Sequence, residues 1–426
     1  MDKVKTFITK LENNELNERL LDIYVDNDKL DYQKNRYIEA LKEFEKNFGD
    51  EADSIFSAPG RSEIGGNHTD HQHGEVLAAS INDDAIAVVA GTDKNEVNVL
   101  SEGYDKITIS LDELDKIDSE EGTTHALIRG VIAKTKANGH NIGGFDAYIT
   151  SNVLSGSGLS SSAAFEVLIG TILSGLYNDM SISPIEIAII GQYAENVYFG
   201  KPCGLMDQLA CSVGSLCHID FADTSDPVVE KINFDLESAG YSLCITDTKG
   251  SHSDLTPDYA AIPAEMKSVA ACFGKEVLHE VDEDTVIANV SQIREKCGDR
   301  AFLRAIHFYE ENKRVKKEVE ALNNNDIEAF LSTVSASGSS SYKYLQNVYT
   351  NHQIDKQNMS IALMISEMTL GANGVARVHG GGFAGTIQAF VKNDAVADYK
   401  ATMNKIFGED SCNVLKIRKY GGTKVM

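Results

Sequence analysis

A chain of 426 residues with 42% hydrophobic and 24% charged residues has the composition of an ordinary globular protein and the length for two or three domains. Its formal net charge of −25 argues against nucleic acid or an anionic membrane as partner, since both recruit basic faces. Seven cysteines without CxxC pairs or His/Cys clusters argue against a disulfide framework or a zinc site. The N-terminus lacks an apolar signal core, and no run reaches the roughly 20 apolar residues of a membrane span, so a soluble cytoplasmic protein is expected.

Tyr37, Ala40, Leu41, Phe44 and Phe48 recur at helical spacing, which predicts an amphipathic helix from Asn35 to Phe48. Next, in SAPGRSEIGGNHTDHQHG (57–74), a strand meets a loop dense in Gly, Arg, His, Asp and Asn. Arg61 offers a fixed fork of donors for an anion, and Asn67, His68 and Asp70 carry groups that hydrogen-bond vicinal sugar hydroxyls. A capped turn with a salt bridge is the plainer reading. Residues 75–150 are strand-rich, with VLAASI, AIAVVA, EVNVLS and KITISL separated by Asp, Asn and Gly, and one helix over about 124–137 interrupts them.

FDAYITSNVLSGSGLSSSAA (145–164) is an alternating strand, a glycine–serine loop and the start of an apolar helix. Gly156 and Gly158 remove side chains that would keep a phosphate from the backbone, while Ser160, Ser161 and Ser162 place hydroxyls and amides at a helix N-terminus, where the dipole favours an anion. The pattern is that of a cradle for a nucleoside triphosphate, with a simple capped terminus as the alternative. No GxxxxGK[ST] stretch is present and the cradle holds no lysine, so the charge must be balanced by a metal ion and by residues from elsewhere. A helix from Pro184 to 199 ends at Gly200 and Pro202, before CGLMDQLACSVG. The polar, turn-rich ADTSDPVVE sets a boundary near 225, giving an extension (1–35), a first lobe (36–225) and a second lobe (226–426). In the second lobe, strands are expected at 241–248, 385–391 and 413–420, with helices between charged loops through 370. VHGGGFAGTIQAFV (378–391) is a glycine turn feeding one of these strands. His252, His307 and His352 are expected at the surface or as caps.

In order and spacing, these segments resemble the GHMP superfamily of small-molecule kinases, and within it the galactokinase family, over nearly the whole chain from about Phe44. The signature APGRVNLIGEHTDYxxG is met by APGRSEIGGNHTDHQHG, PxGAGLSSSAA by LSGSGLSSSAA, and GxPCGxMDQ by GKPCGLMDQ at 200–208. The resemblance implies an α+β fold of two lobes with the active site in the cleft between them. It implies transfer of the ATP γ-phosphate, with Mg2+, to the C1 hydroxyl of galactose. By that resemblance Asp207 is the base and Arg61 lies between sugar hydroxyl and γ-phosphate. Asn67, His68, Asp70, Gly204 and Tyr259 would serve the sugar, with Tyr259 matching the tyrosine of SEYxxRR and core packing as its alternative. Gly156, Ser157, Gly158, Leu159, Ser160, Ser161, Ser162 and Ala163 would hold the nucleotide phosphates, and Glu195 with Ser161 or Ser162 the metal. Glu63, Asn67 and His71 stand where the signature has asparagine, glutamate and tyrosine, and Ile262 and Pro263 replace the trailing arginines. These departures leave open a kinase for a C6-modified sugar such as galacturonate. A catalytically silent sugar and ATP sensor is the third reading. The small-molecule sugar and ATP are the expected partners in each case, and the oligomeric state is left open.

Overall fold

The computed structural model describes residues 3–153, 158–250 and 255–426. Helices α1 (Lys3–Glu12), α2 (Asn17–Tyr24) and α3 (Leu30–Phe48) precede the first strand, α3 starting ahead of the predicted Asn35. A first sheet contains β1 (Ser54–Gly65), β2 (Glu75–Thr92), β3 (Glu96–Ser101), β4 (Ile107–Ser110), β5 (Gly144–Ser151), β6 (Leu216–Asp220) and β7 (Val228–Ile232). VLAASI and AIAVVA, which the polar run Asn82, Asp83, Asp84 separates in the sequence, are one continuous strand. The first half of β2 pairs with β6 and its second half with β5, so the polar run sits where its partners change. Asp84 is fully buried there and is met by Arg36 at 2.5 Å, Arg418 at 3.0 Å and the Tyr24 hydroxyl at 2.8 Å, which removes the cost of a lone buried charge.

Both faces of this sheet are covered, which is why AIAVVA is apolar throughout. Ala85, Ala87 and Val89 join the main core, and Ile86, Val88 and Ala90 join a second core with Leu20, Tyr37 and Phe44 of the N-terminal helices. The main core is closed by α4 (Thr124–Ala137), α5 (Ser161–Tyr177) and α6 (Pro184–Tyr193), with α7 (Met206–Val213) beside them. After α6 the chain continues as a π-helical turn, Ala194–Phe199, where a single unbroken helix was predicted. Such a turn re-aims side chains within a helix, and here it carries Glu195.

The second sheet is antiparallel in the order β11 (Cys412–Leu415), β8 (Tyr241–Asp247), β10 (Thr386–Lys392), β9 (Gly374–Val378). On it pack α12 (Ile327–Ser340), α13 (Asn358–Leu370) and α14 (Val396–Phe407), while α8 (Thr256–Ala271), α9 (Glu283–Ala288), α10 (Val290–Cys297) and α11 (Asp299–Asn323) form a helical cluster of their own, with α11 also against β1 and β2. The strand predicted at 413–420 ends at Leu415, because Arg418 turns back to the first sheet and bonds Ser57 and Asp84. The chain then adds β12 (Thr423–Lys424) against β1. His307, expected at the surface, is fully buried in α11 between the Ser340 hydroxyl (2.8 Å) and the Asn67 carbonyl (3.0 Å). His352 is exposed, and His252 lies outside the described residues. Among the described residues no helix is long and apolar enough to cross a membrane.

Candidate active site

The segments 57–74 and 145–164 meet because a glycine lets them. A Cβ on Gly60 would lie 2.8 Å from the Leu159 carbonyl, and the Arg61 amide donates to that same carbonyl at 3.1 Å. The Arg61 side chain, 9% exposed, then reaches across to the start of α7. Its Nε donates to Asp207 Oδ1 at 2.7 Å and its Nη2 to Oδ2 at 2.8 Å, a bidentate pair, while Nη1 donates to the Gly158 carbonyl. Ser160, with φ of 59°, does not cap α5 with its side chain; its hydroxyl donates to Asp207 Oδ2. Burial alone would raise the Asp207 carboxyl, but the Arg61 guanidinium outweighs burial and holds it below the ordinary carboxylate range. Asp207 is therefore ionised at neutral pH.

Beside this pair, a Cβ on Gly204 would stand 2.4 Å from Asp70 Oδ2, so Gly204 is the residue that admits the Asp70 carboxylate. Burial, and then the charge of Asp207, push Asp70 up to about 6. His68 adopts φ of 61° and hydrogen-bonds the Gly381 carbonyl through Nε2 (3.0 Å) and His71 through Nδ1 (3.2 Å). Burial lowers His68 to about 4, so the ring is neutral. The glycine turn and strand of 378–391 supply the opposite wall. His379 bonds Thr386 and Ser62, and a Cβ on Gly158 would press on Thr386 at 3.0 Å. The Tyr259 hydroxyl donates to the Gly382 carbonyl at 2.7 Å with its ring edge-on to Phe383.

Asn67 is fully buried, and all four hydrogen-bonding positions of its amide are spent within the protein. Nδ2 donates to Glu63 Oε1 (3.0 Å) and the Gly380 carbonyl (2.8 Å), and Oδ1 accepts from Asn347 (2.8 Å) and Ser341 (3.2 Å). Glu63 in turn pairs with the fully buried Arg377 at 2.6 Å. Burial raises its carboxyl to about 7, against the pull of Arg377 and Arg61. The asparagine and glutamate of the galactokinase signature are thus exchanged between positions 63 and 67, and the two side chains touch.

On the far side of the glycine–serine loop, Ser162 Oγ lies 3.5 Å from Glu195 Oε1. Gln208 Nε2 donates to both Glu195 Oε2 (2.9 Å) and Glu166 Oε2 (3.0 Å). Glu166, which sequence reading missed, is 1% exposed with Oε1 unpartnered, and burial followed by the charge of Glu195 raises its carboxyl well above the ordinary value. Its position one turn into an apolar helix, where a carboxylate has no folding role, was the available signal. Leu159 and Ala163 are buried beneath the loop, Ser161 opens α5, and Gly156 and Ser157 lie outside the described residues.

Residues 42–91 match the galactokinase galactose-binding signature, and residues 126–215 match the GHMP kinases N terminal domain. The galactokinase of Streptomyces coelicolor is 30% identical over 351 residues, 82% of this chain and 87% of its own. That of Glaesserella parasuis is 32% identical over 365 residues, 83% of this chain and 89% of its own. The crystal structure of Lactococcus lactis galactokinase complexed with galactose superposes with a TM-score of 0.75 at 26% identity, covering 90% of this chain and 98% of that one. A mevalonate kinase shares the fold at a TM-score of 0.61 and 17% identity, over 86% of this chain and 100% of that one. With the signature residues brought together and identity at this level across most of both chains, the chain belongs to the galactokinase family of GHMP kinases.

Proposed function

We propose that the chain is a galactose 1-kinase, transferring the γ-phosphoryl group of ATP to the anomeric hydroxyl of galactose. The observation that carries this reading is the bidentate Arg61–Asp207 pair placed against both the Gly158 carbonyl and the Ser160 hydroxyl, so that a carboxylate and a fixed cation stand at the mouth of the phosphate loop. In this reading Asp207 accepts the C1 hydroxyl proton as the oxygen attacks. Arg61 spans acceptor and phosphate, offsetting the charge that develops on the transferring group. Asp70, seated by Gly204, serves the sugar hydroxyls, and the neutral His68, its ring nitrogens bonded to Gly381 and His71, orders the loop beside it. Tyr259 orders the glycine turn facing them, and Asn67 orders the loop from within.

The residues beside the loop fit a divalent cation delivered with ATP. Glu195 and Ser162 are hard oxygen donors close to one another, and Glu166 adds a buried oxygen without a partner. Glu195 and Ser162, with Ser161 next to it, would hold Mg2+, which would supply positive charge to offset that of the phosphates. Of the departures that suggest a C6-modified sugar, the one at Asn67 loses force because its amide is spent inside the protein. A cytoplasmic location accords with an ATP-dependent reaction and with cysteines that are all free. A coupled ADP-release assay across a hexose panel tests the proposal: galactose-dependent turnover is expected, and its absence with folded, nucleotide-binding protein overturns it.

A further inference from the structure

Two cations stand at the mouth of the phosphate loop, each latched to a carboxylate. Arg61 holds Asp207, and Lys201 Nζ lies 3.0 Å from Glu195 Oε1. Lys201 occupies a position that GxPCGxMDQ leaves free, so the family pattern does not demand it. The two ends of its ion pair are unequal. Glu195 is 5% exposed at the side chain and anchored by Gln208, whereas the lysine is 63% exposed and hangs on a flexible four-carbon stem.

The oxygen that Lys201 contacts, Glu195 Oε1, is also the one facing the Ser162 hydroxyl in the first turn of α5. The ammonium is thus one side-chain rotation from the helix terminus at which a phosphate would sit. A metal ion taking Glu195 displaces the ammonium from its carboxylate, and a triphosphate at α5 offers it new anionic partners at short range.

We propose that Lys201 is an exchangeable cation of the phosphate site, paired with Glu195 in the free protein and transferred to phosphate oxygens of the nucleotide once a divalent metal occupies that carboxylate. Lys201 thereby supplies the ammonium that the serine loop lacks. The inference rests on the ATP-binding reading above. It differs from a simple neutralising role in one respect. A lysine that only balanced Glu195 would compete with the metal, and its removal would leave metal–nucleotide affinity unchanged or tighter.

The test is isothermal titration of AMP-PNP at saturating Mg2+ into wild type, Lys201→Met and Lys201→Arg, with far-UV circular dichroism confirming the fold. About tenfold weaker binding is expected for Lys201→Met, the size of one screened ammonium–phosphate contact, with most of the loss recovered in Lys201→Arg. Unchanged or tighter binding in Lys201→Met overturns the transfer and leaves the kinase reading standing. Failure of wild type to bind Mg2+–AMP-PNP overturns both.

Discussion

Replacing Asn67 by glutamate restores the residue of the galactokinase signature, yet in this chain it sets a second carboxylate against Glu63, whose Oε1 is now 3.0 Å from the Asn67 amide nitrogen. Two unit charges about 4 Å apart repel by roughly 4 kcal/mol at an effective dielectric near 20; this is an upper limit, because Glu63, raised to about 7, relieves part of the repulsion by holding a proton. Losing the bond to the Gly380 carbonyl adds about 1 kcal/mol or more. Glu63→Asn alone removes the partner of Arg377, which is fully buried, and breaking such a pair costs about 3–5 kcal/mol. In the double variant Glu63→Asn/Asn67→Glu the repulsion has no second charge to act on. The four proteins therefore form a cycle with an expected coupling of about 1 kcal/mol or more and at most about 4 kcal/mol, growing as pH rises through the Glu63 titration, read from urea unfolding monitored by circular dichroism. Additivity within about 0.5 kcal/mol would refute the reasoning, since it would mean that the two side chains do not sense each other. The double variant also gives the clean comparison of galactose with galacturonate, because the single Asn67→Glu change confounds sugar choice with instability.

Asp207→Asn keeps the contact surface but removes the proton acceptor, so turnover should fall by about two to four orders of magnitude while galactose and AMP-PNP binding by calorimetry stay nearly intact; unchanged turnover removes Asp207 from the chemistry. Gly204→Ala puts a methyl group 2.4 Å from Asp70 Oδ2, so the galactose KM should rise about tenfold or more with little change in ATP KM, and an equal rise in both would point to general disruption. Glu63 is raised by burial from its ordinary 4.5 to about 7, so the folded protein holds a proton that the unfolded chain releases; its contribution to stability is therefore lost progressively as pH rises from about 4.5 to 7 and is level above that. Measured against Glu63→Gln, wild type should lose relative stability over that window, and parallel pH profiles for the two proteins would show that Glu63 does not titrate there.

Local pattern was enough for elements whose partners are near in sequence. The helix predicted over 124–137 is α4 (Thr124–Ala137), and the predicted 385–391 strand is β10 (Thr386–Lys392) within a residue, because helical periodicity and β-branched alternation report burial directly. The pattern failed where a distant residue decides the outcome. Asp83 and Asp84 looked like a break between two strands, and only Arg36 and Arg418, far away in the chain, allow the strand to run through them.

The candidate site divides along the same line. Arg61, Asp207 and Ser160 were readable as separate chemical groups from their motifs, but that they form one hydrogen-bonded unit depends on Gly60 letting β1 approach the loop. Asn67 was read as sugar-facing from the signature. What decides its orientation are Ser341, Asn347 and Gly380, three groups contributed by the second lobe. The exchange of charge and amide between positions 63 and 67 looked like two independent departures from a signature that both bore on the sugar. With Arg377 behind Glu63, it reads instead as a single compensated change, in which the carboxylate stands at the position that faces Arg377 while its contact with the amide persists. A departure at one signature position therefore informs on substrate choice only after the position that compensates it has been found, and here the compensating residue lies four places away with its cation more than three hundred residues further on.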